Sequence, residues 1–339
     1  MEFSSIHTIS NCHTDSVNCL AFSPDGRFLA SGADDCVIYI YDYKNGRDVA
    51  KITASSSVTA LLWHPVHDQL LVGFANGDIQ SIDPSVLTAY PQLSPIGGVM
   101  PMGLHDPIEC MALDPSNRHI AVGCGARVIV CRMSKKYVLA EALNICQSAS
   151  DQEDMLVRSI HFIRGGRFLV ITYLEHGIIC WNIARNTQAW SIVPRTSRIG
   201  QSTISSDEKR LVVSNLLDGF DIYDLQSRKF VRTIGDCLLE NVAIPVAFLG
   251  KDCDYVLAGS SNGAVKILDV KSGVIARVMA HRNWDIVQAV AYYHAAAEGC
   301  HYIASATSEK GQETYITVWR GSIIFAIALK TTSRNHIDL

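Results

Sequence analysis

This sequence predicts an all-β chain folded as a closed ring of seven four-stranded antiparallel blades, and three observations carry the prediction. Period-two apolar runs joined by Pro, Asp and Gly turns recur along the chain. Helical periodicity is missing nearly everywhere, and the hairpins return at a near-constant spacing. Of 339 residues, 48% are hydrophobic and 18% charged, which excludes a disordered chain and supplies a large core.

The first unit sets the pattern. Val17, Leu20 and Phe22 lead through Ser23-Pro24-Asp25-Gly26 into a second strand ending near Gly32. Segments 58–65, 108–115, 157–166 and 199–208 repeat it, and 245–250 and 287–294 do so in weaker form. The large apolar residues just before the turns are Phe22, Trp63, Leu113, Phe162, Ile204, Phe248 and Tyr292, spaced at roughly 41 to 50 residues, the range of a propeller blade. Third strands follow at 35–42, 76–83, 218–224 and 262–269, and outer strands at 230–234 and 274–278. Residues 294–298 extend a hairpin turn rather than forming a helix.

A seven-bladed β-propeller of four-stranded antiparallel blades is therefore expected as one domain over 1–321. Its approximate blades are 13–53, 54–93, 104–140, 155–193, 196–235, 240–280 and 281–321. A ring avoids an exposed edge when one blade takes strands from both chain ends. Residues 5–10 resemble the outer strands and are the favoured closing strand of blade seven; the apolar run 323–329, within the tail 322–339, competes for the same edge.

Net charge of −4 argues against nucleic-acid or anionic-membrane binding by bulk charge. Eleven cysteines, an odd number with no C-x-x-C pair, predict neither a disulfide framework nor a zinc site. With no secretory signal at the N-terminus and no membrane-length apolar run, an intracellular protein, cytoplasmic or nuclear, is expected.

The units resemble WD40 repeats, in which His, Ser or Thr, Asp and Trp form a hydrogen-bonded tetrad. The resemblance assigns His13, Ser31, Asp35 and Tyr41 to a structural tetrad in blade one, with Tyr in place of Trp. In blade seven it assigns His281, Ser305, Glu313 and Trp319. Blade three keeps His105, and blade four keeps Trp181 and Glu175. Blades two, five and six place Val72, Val213 and Ala258 where the hydroxyl belongs, so packing is expected to replace the tetrad there. Residues 214–225 look like a motif of fungal WD-repeat proteins without assigned function.

Catalytic signatures are missing: there is no G-x-S-x-G, no G-x-x-x-x-G-K-[ST] and no H-E-x-x-H, and nothing calls for a metal or other cofactor. His64 and His67 flank Pro65 in what reads as a surface turn rather than a metal site. Arg164-Gly165-Gly166-Arg167 is only weakly similar to the paired-arginine motif of phosphoinositide-binding propellers, and reads as a turn. Trp319 and Trp181 lack the Trp-Asp-x-Arg of ubiquitin-ligase receptors.

Function is then expected in loops. The insertion 88–104 offers Tyr90, Met100 and Met102, and the blade-six-to-seven loop offers Arg282 and Trp284, a pair suited to anchoring a partner. The second insertion, 146–155, is acidic and solvated. The reading is a non-catalytic scaffold that binds other proteins or peptides, with no nucleic acid or membrane expected. The alternatives are a peptide or histone-tail reader at the central channel, which needs an aromatic cage, and a propeller hydrolase, which needs converging acidic or His side chains. A phosphoinositide binder stands behind both.

Overall fold

The computed structural model describes residues 2–10, 12–66, 69–83, 94–95, 105–133, 139–145, 155–250, 252–281, 285–308 and 314–322. Strand β1 (Glu2–Ser10) comes first and joins the last blade. Blade one is β2 (Val17–Phe22), β3 (Leu29–Ala33), β4 (Val37–Asp42) and β5 (Arg47–Thr53). Blade two is β6 (Val58–Trp63), β7 (Leu70–Phe74), β8 (Ile79–Ile82) and β9 (Ser94–Pro95). Blade three is β10 (Ile108–Leu113), β11 (His119–Cys124), β12 (Arg127–Met133) and β13 (Leu139–Ile145). Blade four is β14 (Val157–Ile163), β15 (Phe168–Tyr173), β16 (Gly177–Asn182) and β17 (Thr187–Ile192). Blade five is β18 (Ser202–Ile204), β19 (Arg210–Ser214), β20 (Gly219–Asp224) and β21 (Lys229–Gly235). Blade six is β22 (Val246–Leu249), β23 (Tyr255–Ala258), β24 (Ala264–Asp269) and β25 (Val274–Ala280). Blade seven is β26 (Val287–Ala295), β27 (Cys300–Thr307) and β28 (Tyr315–Ser322), completed by β1.

Each sheet is antiparallel, as the hairpin pattern predicts, and the propeller has the expected seven blades. Among the described residues there is no helix, and so none long and apolar enough to cross a membrane. β1 pairs with β28 in register from Glu2↔Ser322 to Ser10↔Tyr315, with a bulge between Ser5 and His7. Phe3 buries its ring in the cluster of Leu257, Ile303 and Trp319, and Thr314 Oγ1 donates to the His13 carbonyl at 2.9 Å. The N-terminal strand thus takes the edge of blade seven.

The core is divided among the blade interfaces. Seven apolar clusters each join two neighbouring blades, including one between blades seven and one that holds Val17, Tyr41, Tyr302 and Ile316. No interface is left open, which is what makes a ring of marginal sheets stable: each fully buried Val, Leu or Ile contributes about 1.5–3 kcal/mol only if the neighbour is present. Close approach is arranged by glycine in the second strand. A Cβ at Gly32, Gly73 or Gly123 would stand 2.3, 2.6 or 2.7 Å from Val58, Ile108 or Val157, at the start of the next blade's inner strand.

The turns after the inner strands repeat a second device. Ser23 Oγ accepts the N–H of Phe28 at 2.9 Å, Asp114 Oδ1 those of Arg118 and His119 at 2.8 and 2.9 Å, and Ser205 Oγ that of Arg210 at 2.9 Å. In blade two His64 holds this place: its Nδ1 accepts the Val66 N–H at 3.2 Å. The imidazole is buried, so the surface-turn reading is corrected in part: Val66 is exposed, His64 is not, and His67 lies outside the described residues. A second correction concerns blade two, whose outer strand Ser94–Pro95 lies within the expected insertion, pairing Gln80↔Pro95 and Ser81↔Ser94. Pro is tolerated there because the outer strand is an edge.

Candidate interaction face

Up-and-down threading places the start of every inner strand, every turn between second and third strands, and every connection between blades on one face of the disc. The central channel opens on that face. It is a cavity of about 240 Å³ lined by the inner strands of six blades and by Pro245, just before β22 of blade six. The polar groups at its mouth are Asn18, Thr59, Glu109, Arg158, Gln201 and Gln288, one for each blade but the sixth, which contributes Pro245.

These groups are mostly engaged with one another or with backbone. Arg158 Nη1 donates to Glu109 Oε2 at 3.2 Å. Burial pushes the Glu109 carboxyl up, and Arg158 opposes it. Asn18 Nδ2 donates to Asp34 Oδ1 at 2.7 Å and the Val58 carbonyl at 3.0 Å, and Ser308 Oγ donates to Gln288 Oε1 at 2.6 Å. Deeper, His161 Nε2 lies 3.0 Å from Ser202 Oγ, which also meets Thr172 Oγ1 at 3.1 Å. Burial pushes His161 down to about 4, so at neutral pH the pair is a neutral hydrogen-bond chain, and His161 is a weak base. None of the lining residues is Phe, Tyr or Trp, so an aromatic cage is absent among the described residues. Among the same residues there is no cluster of metal-ligating side chains.

Around the mouth, buried side chains hold the loops. In blade one His13 Nδ1 is 3.1 Å from both Asp35 oxygens and Nε2 is 2.7 Å from Ser31 Oγ. Asp35 also accepts the N–H groups of Thr14 and Val37, each at 3.0 Å. Burial lowers the His13 pKa and Asp35 opposes that shift. Tyr41 sits beneath, its hydroxyl buried without a hydrogen-bond partner among the described residues. In blade seven His281 Nε2 is 2.8 Å from Ser305 Oγ, and Trp319 Nε1 donates to the same oxygen at 2.9 Å. Burial pushes His281 down to about 4. Glu313 lies outside the described residues, as do Arg282, Trp284, Tyr90, Met100 and Met102.

A family assignment follows from the first blade. Residues 3–42, which contain His13, Ser31, Asp35 and Tyr41, match the family model described as WD domain, G-beta repeat. The chain is a WD40-repeat protein. It is 27% identical over 215 residues to the periodic tryptophan protein 2 homolog of Dictyostelium discoideum, covering 62% of this chain and 22% of that one. It is 23% identical over 268 residues to the WD repeat-containing protein 26 homolog of Drosophila melanogaster, covering 76% and 39%. With the ribosome biogenesis protein bop1-A of Xenopus laevis it shares 29% identity over 102 residues, 30% and 12%. The chain thus spans well under half the length of these relatives.

The WD40 propeller departs from the expected pattern in blades five and six, where packing was to replace the tetrad. A buried charge stands there instead, in both blades at the register position opposite the missing hydroxyl: Val213↔Asp221 and Ala258↔Lys266. Asp221, fully buried, accepts from Thr233 Oγ1 at 2.7 Å, Asn215 Nδ2 at 2.9 Å and Arg195 Nε at 3.3 Å. Lys266 Nζ contacts the two Asp236 oxygens at 2.5 and 2.7 Å, with both side chains 4% exposed. Arg195 and Asp236 come from the connections between blades, so each pair ties a loop of the face to its sheet. Only the pattern of one charge inside an apolar third strand, Phe220-Asp221-Ile222 and Val265-Lys266-Ile267, carried this signal in the sequence.

Neighbouring loops are pinned too. Asn215 Oδ1 accepts the N–H groups of Leu217, Asp218 and Gly219, each at 3.0 Å, and holds Leu216 at φ +54°. Ser260 Oγ accepts from Ala264 N–H at 2.9 Å and donates to the Ala264 carbonyl at 2.6 Å. Asp236 N–H donates to the Asp218 carbonyl at 2.9 Å, which joins the loops of blades five and six. The tips of this network are apolar and open to solvent: Val193, Leu217 and Leu239 are 90%, 66% and 60% exposed.

Proposed function

We propose that this chain is a non-catalytic protein-interaction platform that works through the face on which the channel opens. One observation carries the reading: the loops of that face are anchored by buried polar side chains while their tips expose Leu217, Leu239 and Val193. Pre-anchored loops lose little freedom on binding, so exposed apolar tips convert contact into affinity efficiently. Trp284, Arg282, Tyr90, Met100 and Met102 are proposed as further contacts on sequence grounds. The channel favours neither a small-molecule substrate nor a methylated histone tail. Its volume of about 240 Å³ lies below the ~300–1,000 Å³ of ligand pockets, and its described lining has no aromatic ring.

Quantitative affinity purification of the full chain tests the reading. Leu217→Asp with Leu239→Asp should deplete a defined set of partners, whereas Val66→Asp, equally exposed on the opposite face, should leave the set unchanged. Identical partner profiles for wild type and the double variant, with unchanged melting temperatures, would sink it.

A further inference from the structure

The fourth strand of each blade is a sheet edge, and the rim of the disc differs from blade to blade. On blades five and six the outer strands β21 and β25 end their sheets. These strands and the turns entering them carry Arg228, Lys229, Arg232, Lys271 and Arg277, with no carboxylate within either strand. The two carboxylates of the turns are folded onto backbone. Asp224 accepts the Ser227 N–H at 2.6 Å, and Asp269 accepts those of Lys271 and Ser272 at 2.9 Å. In a chain of net charge −4 this is a segregation of charge: Lys229, Arg232 and Lys271 adjoin between the two blades, with Arg228 over the Trp190 ring of blade four on one side and Arg277 in a recess towards blade seven on the other. The outer strand of blade one, by contrast, sets Asp48 between Arg47 and Lys51.

The same strip is apolar between its charges: Phe230, Val231, Val274 and Val278 are 43%, 49%, 54% and 57% exposed. Arg232 Nη1 donates to the Ser272 carbonyl at 2.9 Å, which makes the two blades one continuous surface. Beside it, Arg277 and Arg320 line a recess of about 460 Å³ in which Glu2 is the only carboxylate among the described lining residues.

We infer that this rim is a second docking surface, which takes an extended acidic protein segment with apolar residues at alternate positions, added edge-on to β21. Carboxylates of such a segment meet Lys229 and Arg232, which share the face of β21 opposite Asp224 and Ile222, its apolar side chains cover Phe230 on the other face, opposite Tyr223, and its main chain pairs the free edge. Lys and Arg on an edge strand repel a second copy of a basic edge, so the charges that guard against self-association also select an acidic partner. A lipid surface would satisfy the cations but leave the edge N–H and C=O groups unpaired. This site extends the proposed function to another surface and fails separately from it.

Fluorescence anisotropy with the full chain and a labelled decapeptide alternating Glu and Val tests the inference. Saturable binding is expected, weakened by salt and weakened about tenfold or more by Lys229→Glu with Lys271→Glu. The decapeptide with Lys in place of Glu should not bind, and N-methylation of alternate residues should abolish binding by removing the edge pairing. Leu217→Asp with Leu239→Asp should bind the peptide as wild type does, and melting curves check that every variant folds. The inference is overturned by no saturable binding at about millimolar peptide, by equal affinity of the charge-reversed or N-methylated forms, or by phosphatidylserine vesicles binding where the peptide does not.

Discussion

Lys266 and Asp236 give the sharpest quantitative test of how the loop face is held. Both side chains are 4% exposed, and the connection carrying Asp236 is tied to blade six through this pair. Replacing Lys266 with Met leaves the carboxylate buried and alone, a change that costs about 3–5 kcal/mol when one partner of a buried pair is removed. Unfolding entropy near 2.1 cal/mol/K per residue gives ~0.7 kcal/mol/K for a chain of this length, so the melting temperature should fall by ~4–7 °C. Asp236→Asn should fall by a similar amount. Lys266→Met with Asp236→Leu removes both charges, and that change is neutral to stabilising in comparable buried pairs. The double variant should therefore recover most of the loss. Differential scanning calorimetry on the four proteins reads the cycle. Single variants that shift by less than about 1 °C, or a double variant whose loss is the sum of the singles, would refute the coupling.

Three further outcomes follow from the same geometry. Gly73→Ala places a methyl 2.6 Å from Ile108 and should cost about 1–3 kcal/mol by overpacking, as read by urea denaturation, and an unchanged midpoint would contradict it. His161 and His281 are both pushed from 6.5 to about 4 by burial, so the unfolded chain takes up their protons first. Their contribution is fully present above 6.5 and is lost as pH falls toward about 4, whereas Glu109, raised by burial, works in the opposite direction. Melting temperature against pH should therefore fall less steeply below 6.5 in His161→Gln than in wild type, and parallel curves would contradict this. Finally, Ser4 faces Arg320 across the closing pair of strands. Ser4→Cys with Arg320→Cys should form a reducible cross-link that raises the melting temperature by several degrees, from the ~4–5 kcal/mol available on closing so long a loop.

How far the sequence led depends on whether a feature is local. The hairpins were legible because period-two alternation and Pro-Asp-Gly turns are properties of adjacent residues, as at Val17 to Phe22 and Ser23. The hydroxyl positions of blades one and seven were legible because a Ser stands on the second strand after each His, Ser31 after His13 and Ser305 after His281, as the repeat resemblance expects. The buried charges of blades five and six were not, since Asp221 and Lys266 find partners in connections 26 and 30 residues away. The one local sign, a charge inside an apolar third strand, does not say which residue pairs with it. Ser94–Pro95 escaped for a different reason: two residues carry no alternation, and only pairing with Gln80 and Ser81 defines them as a strand. His64 escaped because it stands where Ser23 and Asp114 stand but accepts through a ring nitrogen, and from an N–H two residues on rather than four or five.

Photo-crosslinking tests the central claim most directly. A benzoylphenylalanine introduced at Leu217 or Leu239, on the face where the channel opens, should link to partner proteins identified by mass spectrometry. The same group at Val66, exposed on the opposite face, should not. Partner cross-links from Val66 with none from Leu217 or Leu239 would contradict the assignment of that face as the site of interaction.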